Sequence, residues 1–225
     1  MPESPLDAAN RELAEVSPPW YRSPLVLLGA VVVIAAVIAF IVAGGGDDDT
    51  AADAGFGGAD IPEVDSVAVE GAALPVYELP VNDAAVGLDA PVVTATSLAD
   101  GSSVELGPGT PRIIGFFAHW CPHCQAELPE LVDWLAANPL PGDVEFVAVS
   151  TAVDEGRGNY PPSAWFNDEA WPGSVVVDDG ADLLAVYGFQ SFPAFIAIDA
   201  DGVVIDRLGG NVGPVGFKRL ADALG

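Results

Sequence analysis

Basic residues are scarce in this chain of 225 residues, which has 7 lysines and arginines against 33 aspartates and glutamates. The formal net charge is −26, so nucleic acids and anionic lipid surfaces would be repelled and are not expected as partners. The excess of acid fits either a strongly solvated surface or a high-salt habitat. Cysteine and histidine are equally scarce, with 2 of each, and all four lie in the segment FFAHWCPHCQAELPEL at residues 116–131.

A long uncharged run stands near the start of the chain. Residues 25–43 (LVLLGAVVVIAAVIAFIVA) would span about 28 Å as a helix, close to the thickness of a bilayer's hydrocarbon core. The run lacks the polar stripe that a buried helix of a globular protein shows. It is also longer than the apolar core of a signal peptide, and IVAGGG is a poor cleavage site. We therefore predict an uncleaved transmembrane helix rather than a removed signal peptide.

The orientation of this predicted helix follows from the arginines around it. Arg11 and Arg22 precede the run, and the next basic residue is Arg112. Because positively charged flanks stay in the cytoplasm, residues 1–24 are predicted to form a cytoplasmic tail. The rest of the chain would lie outside the cell, attached to the cell membrane through a single pass.

The remaining sequence divides by composition. Residues 44–73 are rich in glycine, alanine and aspartate without a sustained period, which predicts a flexible linker. Residues 74–225 alternate strand patterns with helical ones. The pair VVTATSL and SSVEL around the turn ADG predicts a hairpin, and PRIIGFFA predicts a buried strand. This order predicts an α/β domain with a mixed central sheet flanked by helices.

Three kinds of site can be built from the cysteines and histidines. A structural disulfide between Cys121 and Cys124 would close a very short loop and gain little chain entropy. A zinc site could use His119, Cys121, His123 and Cys124, but structural zinc usually draws ligand pairs from two separate segments, and no second pair follows. A redox-active dithiol fits best, because the pair opens a helix directly after a buried strand.

The start of that helix predicts different roles for the two thiols. Free backbone N–H groups and the helix dipole favour an anion at this point, so Cys121 is predicted to be the attacking thiolate. Cys124 lies a turn further into the helix and is predicted to be the resolving thiol. Trp120 is expected either to shape the surface around the first sulfur or simply to pack.

The segment FFAHWCPHCQAELPEL resembles the active-site segment of the thioredoxin superfamily, and more closely that of membrane-anchored thiol–disulfide oxidoreductases of the TlpA and ResA type. The pieces APVVTATSLADG, IIGFFAHWCPHC, ELP and YGFQSFPAFIAIDADG follow in the family's order between residues 86 and 224. The resemblance implies a thioredoxin-like fold and exchange of thiols and disulfides with protein substrates through a mixed disulfide. It implies no bound cofactor and no metal.

The resemblance also implies roles for residues beyond the cysteines. Pro193 in SFPAF matches the cis-proline loop, which lies against the dithiol and pairs with the substrate's backbone, and Trp120 and Phe192 are expected to bind substrate with it. Glu127 matches an acid that is thought to help proton transfer in ResA-like members, with a solvated carboxylate on the helix surface as the alternative. Many thioredoxins have a buried aspartate on the preceding strand, where this chain has Gly115.

One position departs from the TlpA pattern and leaves the direction of electron flow open. Many TlpA-like members have proline directly before the second cysteine, whereas this chain has His123, in the Pro-His dipeptide of the oxidant DsbA. A histidine there can stabilise the Cys121 thiolate, and stabilising the reduced form makes the disulfide a stronger oxidant. His119, two residues before Cys121, is expected to be a variable surface residue.

The sequence therefore predicts a membrane-anchored thiol–disulfide oxidoreductase whose domain faces the extracytoplasmic side. Its expected partners are proteins with cysteines, either apocytochrome c for reduction or exported proteins for oxidative folding, together with a membrane redox partner. The alternative is a copper delivery module of the same fold. Such modules usually space their cysteines by three residues and add a distal histidine, and no histidine follows His123 in this chain.

Overall fold

The computed structural model describes residues 67–78 and 81–225, and within them eight strands lie in two sheets. In chain order the strands are β1 (Ala68–Glu70), β2 (Val92–Thr96), β3 (Ser103–Leu106), β4 (Arg112–Phe117), β5 (Glu145–Thr151), β6 (Ser174–Asp178), β7 (Ala194–Ile198) and β8 (Val204–Gly209). The helices of this part of the chain are α1 (Pro122–Ala137), α2 (Pro162–Asp168), α3 (Asp182–Val186) and α4 (Gly213–Leu224).

The larger sheet is mixed, as the sequence predicts, and has the strand order β6-β5-β4-β7-β8. Strand β4 lies at its centre, parallel to β5 and antiparallel to β7. All of its residues are buried, which explains the apolar run IIGFF, since the strand is covered on both faces. The predicted hairpin also forms, as β2 paired antiparallel with β3.

Side chains of β4 alternate between two hydrophobic clusters. Ile113 and Phe117 pack into the cluster that also holds Leu128 of α1, whereas Ile114 and Phe116 pack into the other. This division follows from the strand itself, because successive residues point to opposite faces of a sheet. The first cluster includes both cysteines, so the N-terminal part of α1 is packed against the sheet at the end of its central strand.

The segment before β2 contains a strand that the sequence does not predict. β1 lies within the residues assigned to the linker over 44–73, and it pairs antiparallel with β2. All three of its residues are exposed, so backbone pairing rather than an apolar pattern forms this strand. Beyond it, Leu74 is buried and its N–H donates to the Val186 carbonyl at 2.9 Å, which fixes the segment at the end of α3.

A buried ion pair attaches the following segment to β8. The Arg207 guanidinium donates to both carboxylate oxygens of Asp83, and the two side chains are 0% and 4% exposed. Arg207 also donates to the carbonyls of Pro75 at 2.9 Å and Tyr187 at 2.8 Å. Burial alone would raise the pKa of Asp83, but hydrogen bonds from Arg207 and from the Ala85 N–H outweigh it and lower this pKa. The buried guanidinium of Arg207 thus has a carboxylate and two carbonyls as partners, and a buried charge is costly without such partners.

The predicted transmembrane helix over residues 25–43 lies outside the described residues, as does the predicted tail over residues 1–24. Within residues 67–78 and 81–225, no helix is long and apolar enough to cross a bilayer. The membrane anchor therefore stays a prediction from the sequence.

Candidate active site

The dithiol lies where the central strand gives way to α1. β4 ends at Phe117, and the Cys121 N–H donates to the Ala118 carbonyl at 2.9 Å, which closes a tight turn. Cys121 caps the helix that begins at Pro122, and its carbonyl accepts the Gln125 N–H at 3.0 Å. Proline suits the first helical position because its missing N–H would have no partner there. The first turn has no acidic side chain, so the positive end of the helix dipole is not neutralised near the sulfur.

The two thiols have different surroundings. Cys121 is 6% exposed at the helix start, whereas Cys124 is fully buried. Burial raises the pKa of the Cys124 thiol above its usual range, negative charge on Cys121 and Glu127 adds to this rise, and a backbone hydrogen bond at Ala118 opposes it. An exposed attacking thiol was expected at the helix start, but Cys121 is itself buried, although less completely than Cys124. The roles of attacking and resolving thiol stay predictions.

The loop before β7 lies against the first sulfur. The Phe192–Pro193 peptide bond is cis, as the resemblance implied, and Cys121 Sγ lies 3.9 Å from the Phe192 carbonyl oxygen. The Trp120 indole meets the Phe192 ring nearly edge-on, with 5.4 Å between the ring centroids. Pro193 is buried, and its carbonyl accepts the Gly210 N–H at 2.8 Å. The structure thus brings the predicted substrate-binding residues together around Cys121.

His123 lies on the exposed side of the first turn of α1, between the two cysteines. Its main-chain carbonyl accepts the Asn211 side-chain amide at 3.0 Å, so the loop before α4 holds the backbone of the dithiol segment in place. The imidazole is close to the positive end of the helix, where the sequence predicts an effect on the Cys121 thiolate. That effect stays a prediction.

Glu127 is not the solvated carboxylate that one interpretation of the sequence expects. It is 2% exposed and accepts three hydrogen bonds from the segment that leads into α4. Oε1 accepts the N–H groups of Val212 at 2.7 Å and Gly213 at 2.8 Å, and Oε2 accepts the Asn211 amide at 2.7 Å. The carboxylate stabilises the N-terminus of α4, where negative charge is favoured, and ties that helix to α1. Its role in proton transfer stays a prediction.

The strand position that carries a buried aspartate in many thioredoxins has no space for a side chain in this chain. A Cβ atom added at Gly115 would lie 2.8 Å from Phe117 Cε2 and 3.2 Å from Phe146 Cε2. Two aromatic rings therefore occupy the volume that an acid would need. Glu127 is the carboxylate whose charge acts on Cys124.

The expectation for His119 is wrong, because this residue is fully buried rather than on the surface. Its Nδ1 lies 2.8 Å from the Gly158 carbonyl oxygen, and its Nε2 accepts the Asp154 N–H at 3.2 Å. Both partners belong to the loop after β5, which we name the 152–160 loop. Since these contacts join residues 35 and 39 positions apart, no local pattern in the sequence indicates them.

The 152–160 loop also contacts Trp120. The indole N–H donates to the Ala152 carbonyl at 2.8 Å, and the guanidinium carbon of Arg157 lies 4.4 Å from the centroid of the Trp120 ring. Sequence analysis missed both contacts. The one available signal was that Arg157 is the only basic residue between Arg112 and Arg207 in a strongly acidic chain.

A zinc site built on the dithiol does not fit this geometry. Both ring nitrogens of His119 are engaged with the 152–160 loop, so this imidazole is not available as a ligand beside the cysteines. In the part of the chain that the structure describes, no three histidine, cysteine, aspartate or glutamate side chains are placed to hold a metal ion.

Comparison with known proteins places this site in a family. The family profile described as Redoxin matches residues 85–222, which include the dithiol and the Phe192–Pro193 loop. The chain belongs to the Redoxin family. Its fold, its dithiol and its loop order are accordingly those of a TlpA/ResA-like member of the thioredoxin superfamily, as the sequence predicts.

Curated relatives share the same region. The soluble secreted antigen MPT53 of Mycobacterium tuberculosis is 38% identical over 119 residues, which are 48% of this chain and 60% of MPT53. The thiol-disulfide oxidoreductase ResA of Bacillus anthracis is 26% identical over 125 residues, which are 55% of this chain and 69% of ResA. The chain thus spans less than two thirds of the length of MPT53.

A solved structure shows the same fold. A Chlorobium tepidum protein assigned as the thiol:disulfide interchange protein DsbE aligns with a TM-score of 0.53 and 21% identity. The alignment covers 62% of this chain and 98% of that chain. At this identity the likeness shows the fold alone.

Replacing Glu127 tests whether its carboxylate holds α4 in place. Glu127→Ala would leave the N–H groups of Val212 and Gly213 and the Asn211 amide without their acceptor. Because a hydrogen bond to a charged group contributes about 1.5–3 kcal/mol, we expect a fall of about 2–4 kcal/mol in the free energy of unfolding, measured by urea denaturation. Glu127→Gln keeps an acceptor oxygen and should lose about 1–2 kcal/mol.

Glu130→Ala is the matched control, since Glu130 is an exposed glutamate of the same helix, and it should change stability by less than about 0.5 kcal/mol. Equal losses in Glu127→Ala and Glu130→Ala would contradict the anchoring role. Slow release of mixed disulfides by a Glu127→Gln protein of near-normal stability would instead identify a part in proton transfer.

Proposed function

We propose that this protein is a membrane-anchored, extracytoplasmic thiol–disulfide oxidoreductase that acts on protein substrates. The observation that carries the proposal is the difference between its two thiols. Cys121 lies at the start of α1 against the Phe192–Pro193 loop, and Cys124 is buried behind it with a raised pKa. The similarity to ResA, whose name states this activity, supports the same conclusion.

Reduction of a substrate begins with attack by the Cys121 thiolate on one sulfur of the substrate's disulfide. That disulfide breaks, its other sulfur leaves as a thiolate and takes up a proton, and a mixed disulfide joins Cys121 to the substrate. Cys124 then loses its proton and attacks Cys121 Sγ, which releases the first substrate sulfur as a thiol. Two electrons have passed to the substrate, and the protein holds a Cys121–Cys124 disulfide. Oxidation of a substrate dithiol is the reverse sequence.

The surroundings of the two sulfurs suit this order of events. The helix dipole at Cys121 favours a thiolate there, because no acid of the first turn neutralises it. Burial keeps Cys124 protonated until the mixed disulfide forms, so the two thiols do not ionise together. Trp120, Phe192 and Pro193 provide the surface that a substrate's backbone would contact around the first sulfur.

Two physiological directions fit this chemistry, and neither needs a bound cofactor. In one, the protein reduces disulfides of apocytochrome c or of other exported proteins with electrons from a membrane redox partner. In the other, it oxidises exported proteins during their folding. The resemblance to ResA favours the first direction, and the Pro-His dipeptide with His123 favours the second. The reduction potential of the Cys121–Cys124 pair separates them, because such potentials run from about −270 mV in thioredoxin to about −120 mV in DsbA.

Substitution of each cysteine tests the proposed roles. Cys121→Ala should abolish reduction of insulin, because it removes the attacking sulfur. Cys124→Ala should leave the protein joined to its substrate, because nothing resolves the mixed disulfide. Non-reducing electrophoresis of the Cys124→Ala protein should therefore show adducts that dithiothreitol removes.

Alkylation of the reduced wild-type protein provides the accompanying control. Iodoacetamide should modify Cys121 first, since Cys124 is buried and its raised pKa keeps it protonated as the pH passes the usual thiol value of about 8.5. Mass spectrometry of the digested protein locates the label. Faster labelling of Cys124 than of Cys121 would show that the roles are reversed.

His123→Pro tests the influence of the dipeptide on the redox equilibrium. His123 can donate a hydrogen bond to the Cys121 thiolate and adds partial positive charge, whereas proline does neither. The reduced form should lose stability, so the potential should fall by tens of millivolts, where about 30 mV corresponds to about 1.4 kcal/mol for two electrons. Equilibration against glutathione buffers measures this change.

His123→Gln separates the two contributions, because glutamine keeps a hydrogen-bond donor but carries no charge. Its potential should lie between those of the wild type and His123→Pro. An unchanged or raised potential in His123→Pro would remove the argument that the dipeptide marks an oxidant and would favour the reducing direction.

Deletion of residues 1–46 tests the membrane anchor. The full-length protein should remain in the membrane fraction after washing at high salt and alkaline pH and should need detergent for extraction, because an apolar span of this length inserts into the bilayer. The deleted form should be water-soluble and keep its insulin reductase activity. Release of the full-length protein by salt alone would argue against the anchor, and loss of folding on deletion would show that the removed residues belong to the domain.

A further inference from the structure

His119 is the buried polar residue nearest in sequence to the dithiol that the proposed reaction does not use. Its two ring nitrogens meet backbone groups of opposite character: Nδ1 lies 2.8 Å from the Gly158 carbonyl oxygen, and Nε2 lies 3.2 Å from the Asp154 nitrogen. A carbonyl can only accept and a backbone N–H can only donate. The ring therefore carries its proton on Nδ1 and accepts at Nε2, which is the neutral imidazole.

The main chain of His119 makes a second set of contacts to the same neighbours. Its carbonyl accepts the Gln125 side-chain amide of α1 at 2.9 Å and the Asn159 side-chain amide at 3.1 Å. Ring and backbone together thus attach the 152–160 loop at three of its residues and join it to the first turns of α1. The loop itself contains no helix or strand, since β5 ends at Thr151 and α2 begins at Pro162.

The attached loop acts on the site through Trp120. Its first residue, Ala152, accepts the Trp120 indole N–H at 2.8 Å, and Arg157 stacks its guanidinium over the ring at 4.4 Å. Trp120 in turn contacts Phe192, whose carbonyl faces Cys121 Sγ. An open cleft of about 670 Å³ is lined by Trp120, by the loop and by Asp179 and Gly180, and it is large enough for side chains of a polypeptide substrate.

We propose that His119, as the neutral Nδ1-protonated imidazole, is a positioning residue for the reaction: it holds the 152–160 loop against Trp120, the neighbour of Cys121 in the chain, and thereby shapes the wall of a cleft that receives part of a polypeptide substrate. That the substrate is a polypeptide rests on the proposed function. The attachment of the loop by His119 rests on geometry alone. His119 does not touch the reacting sulfurs in this scheme, so small disulfides that need no cleft should react independently of it.

Protonation of the imidazole breaks this attachment. Both nitrogens of an imidazolium are donors, so Nε2–H would face the Asp154 N–H and that hydrogen bond would be lost. The Asp154 carboxylate is directed toward its own loop, where it accepts the Gly156 N–H at 2.9 Å and pairs with Arg157 at 3.4 Å. Acid that protonates the ring should therefore weaken the attachment. The other titratable or charged groups that line the cleft or face the ring are Glu155, Tyr160 and Asp179.

The test compares the full-length wild type with His119→Phe, which keeps an aromatic ring but neither hydrogen bond, and His119→Asn, which keeps a donor and does not titrate. Glu130→Ala is the control, because Glu130 is an exposed glutamate of α1 that has no part in the proposed reaction. For each protein the second-order rate constant is measured with a disulfide-bonded peptide and with a small aromatic disulfide. Taking the ratio of the two rates cancels the fraction of Cys121 that is ionised at each pH.

At pH 8 the ratio should fall about tenfold in His119→Phe, the order expected for the loss of two hydrogen bonds, with the rate for the small disulfide unchanged. His119→Asn should recover part of the loss. In the wild type the ratio should fall as the pH is lowered to 5, whereas in both His119 variants it should stay flat, and Glu130→Ala should behave as the wild type. Equal losses for both disulfides in His119→Phe would overturn the positioning role.

Hydrogen–deuterium exchange supplies a readout that does not depend on activity. After correction for intrinsic exchange, peptides covering residues 152–160 should be protected in the wild type at pH 8 and lose protection at pH 5, and in both His119 variants protection should be low at either pH. Unchanged protection in the variants, or equal protection of the wild type at both pH values, would overturn the inference. Normal loop behaviour in a protein that reduces neither disulfide would overturn the proposed function instead, while the attachment of the loop by His119 would stand.

Discussion

The start of α1 at Pro122 is the constraint on which the rest of the site depends. Because Cys121 caps this helix, its sulfur lies at the positive end of the dipole, and because Cys124 follows one turn later, its sulfur points into the core beneath. The helix is held in this position from below by β4 and its aromatic neighbours. From the side, Asn211 binds both the backbone between the cysteines and the carboxylate of Glu127. A shift of the helix start by one residue would turn both sulfurs by about 100° around the helix axis and move each out of its present environment.

Sequence patterns predict the parts of this fold in which local chemistry decides the structure. The buried strand β4, the hairpin of β2 and β3, and the order of the dithiol and Pro193 were all readable, because apolar runs, turn residues and the family's spacing are local. The exposed strand β1 was not, since it forms by backbone pairing with β2 and carries no apolar pattern. The expectation for His119 was wrong for a related reason. This residue is buried by a loop that lies 35 residues further along the chain, and the residues next to His119 in the sequence do not indicate that contact.

The ion pairs of the domain show how its few basic residues are distributed among its many acidic ones. Each of the five basic residues that follow the predicted membrane span forms an ion pair: Arg112 with Glu145, Arg157 with Asp154, Arg207 with Asp83, Lys218 with Asp222, and Arg219 with Asp206. The remaining carboxylates therefore create a negative potential around the domain, which would attract basic polypeptides and repel acidic ones, more weakly at high salt. Arg157 differs from the other basic residues in its location, because its guanidinium lies on the face of Trp120, next to the dithiol in the chain.

The hydrogen bonds of the Glu127 carboxylate limit how it could take part in proton transfer. Its oxygens accept two backbone N–H groups and one side-chain amide, so its hydrogen-bonding capacity is directed toward α4 rather than toward the sulfurs. Oε1 already accepts two N–H groups that are fixed by the start of α4, whereas Oε2 accepts only the Asn211 amide and keeps one acceptor site. Oε2 is therefore the oxygen through which the predicted proton transfer would run, and the contacts of Asn211 to Glu127 and to the His123 carbonyl need not break for it.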